Sequence, residues 1–538
     1  NLEMPGRPIL GRPGPFFDEP LRQAIREGRI PAGAVDEAVR RILTQVDRFG
    51  WLDGKPAKPG SINVQADASI ARRLAAQSAV LLKNDGLLPL AASDLESLAV
   101  IGPTARQLAA GYMGERAYGF EDRLISPLDA LRKLAPRARI TFAVGDDLTG
   151  VELPTGNGTL EIPEDGEYTF MVQTSGGDGE ILLNGRVVVQ SSGFRGFGSA
   201  HRKWSSLLPT IDGLDNSRAT VRLTTGRYRL QTRTAPSRGG SPRVRFAWMT
   251  PALRRRNLEE AVTAASNART AIVFLWHEQG ASFNLAENQD ELVRRVSEVN
   301  RRTVVVLNAG GPVAMPWLER AGAVLLMWYP GQEGGWATAD LLLGRAGPGG
   351  RLPVTFPKRP EDTPALAPGH PERWATPPPP GKSGIDAESP PVTFSEGIAV
   401  GYRWYDQQNI EPLFPFGFGL SYASFEYSAL QVKRGPGGIQ VNFALRNTGS
   451  RRGIEVAQVY LDPGGAPAAP RTLAGFKSVE LKPGETQRIT IQIDARSLCY
   501  WSQDQRAWVE PAGPRTVFVG ASSRDIRLAG RIPATIQR

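Results

Sequence analysis

The chain has 538 residues, of which 64 are Lys or Arg and 54 Asp or Glu, for a net charge of +10; 41% of residues are hydrophobic and 22% charged. That composition is ordinary for a globular protein, the length allows about three or four domains, and no stretch approaches the roughly 18 uninterrupted apolar residues of a membrane span. One cysteine, Cys499, excludes an internal disulfide or a thiolate cluster, and three dispersed histidines, His201, His277 and His370, argue against a zinc site.

The positive charge is carried by 54 Arg and 10 Lys scattered along the chain, with Arg254-Arg255-Arg256 the longest run. A nucleic-acid surface would cluster its cations among stacking aromatics, so these predict a solvated surface instead. The sequence starts at Asn1 without Met and shows no charged segment followed by an apolar one, so no signal peptide is visible. The compartment stays open, with a periplasmic or secreted location slightly favoured over a cytoplasmic one.

Residues 16–49 read as two helices. The second opens at Pro31 and carries Ala34, Val35, Ala38, Val39, Ile42, Leu43 and Val46 at helical spacing before the stop at Gly50. A polar linker covers 53–60, and a helix over 66–79 leads into a short strand and the turn Lys83-Asn84-Asp85-Gly86. Residues 98–101 form a buried strand that opens a glycine loop, and helix and strand then alternate to about residue 146, as in βαβ units with a mostly parallel sheet. Between 150 and 250 the period changes to short alternating runs bounded by Gly, Asp or Asn, with the hairpin signal Asn184-Gly185; this is an all-β insert. The α/β pattern resumes with a helix over 258–267 and strands at 271–276, 303–307 and 323–328. Residues 358–392 are Pro-rich and read as an extended connector. From Tyr422 onward short strands recur at the spacing of an antiparallel sandwich.

Several motifs, in one order, resemble glycoside hydrolase family 3, the β-glucosidase and β-xylosidase family. They are Asn1-Leu-Glu-Met-Pro5, Ala79-Val-Leu-Leu-Lys-Asn-Asp-Gly-Leu-Leu-Pro89, Val100-Ile-Gly-Pro103, Trp328-Tyr-Pro-Gly-Gln-Glu-Gly-Gly335, Gly350-Arg-Leu-Pro-Val-Thr-Phe-Pro357, Glu396-Gly-Ile-Ala-Val-Gly-Tyr-Arg-Trp-Tyr405 and Pro415-Phe-Gly-Phe-Gly-Leu-Ser-Tyr422. The resemblance implies a multidomain α/β plus all-β protein. Residues 1–60 would be the remnant of a (β/α) barrel with its linker, and 61–149 with 251–357 an α/β sandwich. A protective-antigen-type β-sandwich insert would occupy 150–250, the connector 358–395, and a fibronectin type III-like (immunoglobulin-like) sandwich 396–538. Each motif also has a structural reading: Gly331, Gly334 and Gly335 suit tight turns and close backbone approach, and Tyr402, Arg403, Trp404 and Tyr405 suit packing of connector and tail against the core.

The resemblance further implies retaining hydrolysis of a β-glycoside or oligosaccharide by two carboxylates, a nucleophile and a proton donor with a raised pKa. In the family the nucleophile is an Asp in a Ser-Asp-Trp-like segment of the barrel. No Ser-Asp-Trp occurs in these 538 residues, so no nucleophile is expected in this chain, which alone would be inactive. The acid/base is expected in the loop Trp276-His-Glu-Gln-Gly-Ala-Ser-Phe-Asn-Leu-Ala-Glu-Asn-Gln-Asp290, since loops at the carboxyl ends of parallel strands hold ligands in α/β sheets. Glu278, directly after an apolar strand that would desolvate it, is the first choice, although alignment on Gly280 puts Gln279 at the family's Glu position and Ser282 where an Asp is common. Glu287 is the second choice, with helix-start stabilisation as its competing role. Trp276, Trp328, Tyr329 and Trp336 are candidates for a sugar-stacking platform, with core packing equally open, and His277 is a candidate for orienting a hydroxyl. Asp178, Asn184 and Trp204 mark the insert as a part that overhangs the pocket. No metal or organic cofactor is expected, no nucleic-acid or membrane partner, and a homo-oligomer stays open. The alternative is a non-catalytic carbohydrate-binding protein that uses its sandwiches for recognition.

Overall fold

The structure is a computed structural model that describes residues 18–55, 60–108, 123–153, 156–175, 177–192, 205–206, 210–211, 214–236, 243–277, 283–374, 392–465 and 470–532. Strands Leu98–Ile101, Thr270–His277, Thr303–Ala309 and Ala323–Leu326 are buried along their whole length. Their runs of Val, Ile, Leu and Phe, apolar without alternation, suit strands covered on both faces, which parallel sheets require. These four and Ile140–Ala143 pair in parallel. The sheet order is Val80–Asn84, Ala323–Leu326, Thr303–Ala309, Thr270–His277, Leu98–Ile101, Ile140–Ala143, and only the Val80–Asn84 edge strand runs antiparallel to its neighbour.

The two faces carry separate cores. On one, Val273, Leu275, Val305 and Leu307 meet Ala261 of helix Pro251–Ser266 and Val293 and Val296 of helix Gln289–Val299. On the other, Ile272, Phe274, Val304 and Val306 meet Leu128 and Leu131 of helix Pro127–Leu134 and Leu341 of helix Gly334–Leu342. Helix Pro251–Ser266 starts seven residues before the expected position. Thr250 accepts a hydrogen bond from the Leu253 N–H and Pro251 takes the first helical position. The early turns carry Arg254, Arg255 and Arg256 rather than an apolar stripe, so periodicity placed the start too late.

The insert leaves after strand Ile140–Ala143 and returns at Pro251. It is two antiparallel sheets, five strands ordered Val151–Glu152, Arg243–Met249, Gly166–Ser175, Asp215–Leu223, Ser205–Ser206 and four ordered Gly158–Ile162, Gly226–Pro236, Gly177–Leu183, Arg186–Ser192. They close over a shared core that includes Tyr168, Phe170, Ile181, Leu230 and Phe246. The Asn184-Gly185 turn has φ +49° and +78°, the left-handed pair that its hairpin needs.

The connector does not stay extended among its described residues. Short helical turns at Pro360–Asp362, Pro364–Leu366 and Pro371–Arg373 fold it, because each Pro pre-sets the φ of a tight turn. Residues 375–391 lie outside the described residues. The chain then comes back to the α/β sheet, where the Leu420 N–H donates to Leu81 O at 2.9 Å. Tyr402 stacks on Phe416 at 4.7 Å and the Trp404 indole donates to Asp362 O at 3.0 Å, so this segment packs as a fastening. The terminal sandwich begins at strand Phe425–Gly435, with three strands on one sheet and four on the other around Ile439, Val441, Val459, Ile489 and Val519.

Residues 1–67 with 382–388 form a second compact unit. Its described helices, Glu19–Arg26 and Ala32–Arg48, match the expected pair, and the second keeps Val39, Ile42 and Leu43 exposed within this unit. Among the described residues no helix is long and apolar enough to cross a membrane, and no group of three or more His, Cys, Asp or Glu stands at metal-binding spacing.

Candidate active site

The parallel strands run, in space, Ile140–Ala143, Leu98–Ile101, Thr270–His277, Thr303–Ala309, Ala323–Leu326. The order reverses between Leu98–Ile101 and Thr270–His277, so their connections leave in opposite directions and open a crevice at the carboxyl ends. Gly102 and His277 stand at its two sides. Gly102, at φ +107°, lies so close to the neighbouring strand that a Cβ there would meet Phe274 O at 2.2 Å.

Trp276 is 1% exposed and packs with Leu148, Ala286 and Tyr329, its ring centroid 5.2 Å from that of Tyr329. Its indole therefore serves the core, not an open sugar platform. His277 is 5% exposed, and its carbonyl accepts the Tyr329 hydroxyl at 2.7 Å. Tyr329 thus stands over the strand end, half-buried. Trp328 turns at φ +54° and donates from its indole to Ser78 O at 3.1 Å, while Asn308 donates to the Trp328 carbonyl at 3.1 Å. Trp336 does not join this group. It sits on helix Gly334–Leu342 under the Arg72 guanidinium at 5.0 Å and the Lys133 ammonium at 5.7 Å, which cover its ring as cation–π partners. Of the two readings left open for Trp336, platform and core packing, its place inside the helix and against the core fits the second.

Glu278, with Gln279 and Ser282, lies outside the described residues, as does Trp204. The two ends of its loop are described. Gln289 closes them together: its side-chain oxygen accepts the Trp276 N–H at 2.8 Å, and its amide donates to Trp276 O at 2.9 Å and Ala286 O at 3.0 Å. Glu287 is no helix cap. The helix begins at Gln289, and Glu287, at φ +59°, directs its carboxylate at two guanidiniums, Arg218 at 2.6 Å and Arg254 at 3.4 Å. Both oxygens are engaged, which leaves the second-choice proton donor an anchor.

Beside it the Asp146 carboxyl accepts the Asn288 N–H at 3.1 Å. Burial first, and the Glu287 charge second, push Asp146 up to about 6, against the opposing pull of Arg218, the Asn288 N–H and Arg254. Asp290 is also pushed up by burial, while a hydrogen bond from the Trp317 indole at 2.7 Å opposes the rise. A pocket of about 350 Å³ opens at the same joint, with Asp146, Glu167, Arg254, Arg255 and Glu291 on its walls. Of the insert residues singled out, Asn184 ties its turn to the neighbouring strand Gly226–Pro236, accepting the Arg229 N–H at 2.8 Å, and Asp178 lies in strand Gly177–Leu183.

Sequence reasoning missed Asp146, Arg218, Arg254 and Gln289. Arg218 gave no sequence signal: in strand Asp215–Leu223 it stands out of phase with apolar Ala219, Val221 and Leu223, the pattern of a solvent-facing position, and only the packing of that face buries it.

The model of the glycosyl hydrolase family 3 C-terminal domain matches residues 79–422, and that of the fibronectin type III-like domain matches residues 455–523. A beta-glucosidase of Rhizobium radiobacter is 34% identical over 582 aligned residues, which cover 96% of this chain and 69% of that protein. A probable beta-glucosidase L of Aspergillus fumigatus is 29% identical over 578 residues, 98% of this chain and 63% of that one. Among solved structures, a beta-glucosidase from Streptomyces venezuelae in complex with D-glucose matches with a TM-score of 0.76 at 34% identity, over 99% of this chain and 68% of its own. The chain spans about two thirds of the length of these relatives.

Proposed function

Because the chain belongs to glycosyl hydrolase family 3, we propose that it takes part in the hydrolysis of a β-glucoside and supplies the proton donor, Glu278. The observation that carries this is the position of the loop. It leaves strand Thr270–His277 at the point where the sheet order reverses, the place where open α/β sheets receive ligands. The similar beta-glucosidases of Rhizobium radiobacter and Streptomyces venezuelae support the substrate class.

In a double displacement, a nucleophilic carboxylate attacks the anomeric carbon while Glu278 gives its proton to the glycosidic oxygen, and the aglycone departs as an alcohol. Glu278, now a carboxylate, then takes a proton from water whose oxygen attacks the same carbon and frees the sugar. The partner carboxylate must stand about 5–5.5 Å away. No Ser-Asp-Trp segment occurs among these 538 residues to supply it. Tyr329, half-buried over the strand end, is the aromatic best placed to meet the aglycone.

The test is Glu278→Gln in the complete gene product. Loss of a general acid costs typically ~10²–10⁴-fold, so hydrolysis of an alkyl β-glucoside should collapse. A dinitrophenyl β-glucoside, whose leaving group needs no proton, should lose far less, and azide should restore turnover as glucosyl azide. An unchanged rate on the alkyl glucoside overturns the assignment and leaves the carbohydrate-binding alternative.

A further inference from the structure

The pocket of about 350 Å³ at the joint between insert and α/β domain has no part in the reaction proposed above. Helices Pro251–Ser266 and Gln289–Val299 both line it, with Pro251, Leu258 and Leu292 as an apolar floor, and Glu167 brings the insert to its wall. Small-molecule sites run from roughly 300 to 1,000 Å³, so a pocket near the lower end has room for a ligand of about one ring.

Asp146 stands on that wall short of hydrogen bonds. Its side chain is buried, and among the described residues the Asn288 N–H, at 3.1 Å on one oxygen, is the donor that it meets. A desolvated carboxylate is stabilised by further donors, and it has two oxygens to receive them. The same shortage lets burial push Asp146 up to about 6. Asn288 lines the pocket too. It is the N-cap of helix Gln289–Val299, where an asparagine side chain ordinarily accepts from the helix's own N–H groups, yet its carboxamide makes no such bond. A strong acceptor and a group that both donates and accepts thus stand together over an apolar floor.

The charges around the pocket disfavour an ion. Asp146 and Glu287 face Arg218 and Arg254, two of each sign, while Arg255 is paired with Glu164 at 2.9 Å and Glu291 with Arg294 at 2.6 Å. A charged ligand would compete with these pairs, whereas a neutral one adds hydrogen bonds and leaves each pair whole. A hexose meets every condition: hydroxyls that donate to a carboxylate, hydroxyls that exchange bonds with a carboxamide, and a C–H face for the floor. We propose that this pocket binds one neutral pyranose sugar, whose hydroxyls donate to Asp146 and which rests against insert and α/β domain together. The proposal does not depend on Glu278 as the proton donor.

The experiment is a titration of the complete gene product with D-glucose at about pH 7, read as hydrogen exchange of peptides from the first turns of helices Pro251–Ser266 and Gln289–Val299. Both should gain protection, half-saturating at about 1–10 mM, as befits a ligand of this size. Asp146→Asn keeps the shape and removes the charge, so it should raise the half-saturating concentration about tenfold, the worth of a charge-assisted hydrogen bond. Leu258→Trp puts an indole into the floor and should abolish the gain; should that variant not fold, Asp146→Asn decides alone. Glucosamine and glucose 6-phosphate present the same ring with a positive and a negative charge, and both should need more ligand than glucose does. No protection by glucose at about 100 mM, or stronger protection by either charged sugar, overturns the proposal. Protection that survives the substitutions unchanged places the sugar elsewhere and overturns it as well.

Discussion

Asp146→Asn is the sharpest probe of the joint between insert and sheet. Asp146 is 5% exposed and its carboxyl is raised from 3.8 to about 6, by burial above all and then by the Glu287 charge. Two units at 1.36 kcal/mol each make about 3 kcal/mol, and the attractions of Arg218 and Arg254 are already inside that net value. The folded carboxyl holds its proton to higher pH than the unfolded one. Between about pH 4 and pH 6 the folded state therefore binds more protons, and stability falls as pH rises through that window. Above about pH 6 the whole penalty stands, and below about pH 4 none of it does. Asparagine has the same shape and keeps an oxygen for the Asn288 N–H, but carries no charge to desolvate.

Asp146→Asn should thus stabilise the joint at pH 7.5 by up to about 3 kcal/mol, with the gain shrinking to nothing near pH 4. The chain has two compact units, so a global transition would mix events. Hydrogen exchange of peptides from helix Gln289–Val299 reads the local free energy directly, with each pH corrected for intrinsic exchange. A variant less protected than the parent at pH 7.5, or a gain that is the same at every pH, refutes the reasoning.

Three further outcomes follow from the geometry. Gly102→Ala combines φ +107° with a Cβ 2.2 Å from Phe274 O, so it should destabilise the α/β domain by about 3 kcal/mol or more, seen as a lowered thermal midpoint. Trp276→Ala should cost about 3–5 kcal/mol because a fully buried indole leaves a cavity; a raised KM with unchanged stability would instead restore its role as a sugar platform. Arg351 and Glu455 meet at 2.6 Å, each side chain 8% exposed, where the α/β domain meets the terminal sandwich, so Glu455→Gln should cost about 3–5 kcal/mol in urea unfolding, and the added Arg351→Met should return much of it.

The sheet was legible because its strands are apolar without interruption and its insert alternates, two periods that cannot be confused over five or more residues. The Asn184-Gly185 turn was legible for a local reason too, the φ values that it must adopt. What was not legible depends on pairs brought together from far apart. Asp146, Arg218, Arg254 and Glu287 lie on a strand end, an insert strand, a helix and a loop, and nothing near any one of them in sequence names its partners. Glu287 was open to a helix-start role because helix starts favour acids, yet a left-handed turn at Glu287 itself and then Asn288 precede the helix, and its carboxylate goes to two arginines. Trp336 was open to a platform role because its neighbours in sequence read as a strand-end loop. Gly335 instead lets the helix approach residue 125, where a Cβ would meet Ile125 O at 2.1 Å.

The place of insertion ties these observations together. A parallel strand delivers its carboxyl end to one rim of the sheet, and any sequence inserted between that end and the next helix must emerge on that rim. The sandwich is inserted between Ala143 and Pro251, after an edge strand that lies two strands from Thr270–His277. It therefore stands on the rim from which the Glu278 loop departs, never on the opposite one. From there Arg218, on the face of Asp215–Leu223 opposite the sandwich core, reaches Glu287. The insert is thereby joined, through Arg218 and Glu287, to the segment that leads into helix Gln289–Val299. Exchange of the insert for an unrelated sandwich that lacks an arginine at the position of Arg218 should leave Glu287 without its buried partner and lower the hydrogen-exchange protection of helix Gln289–Val299.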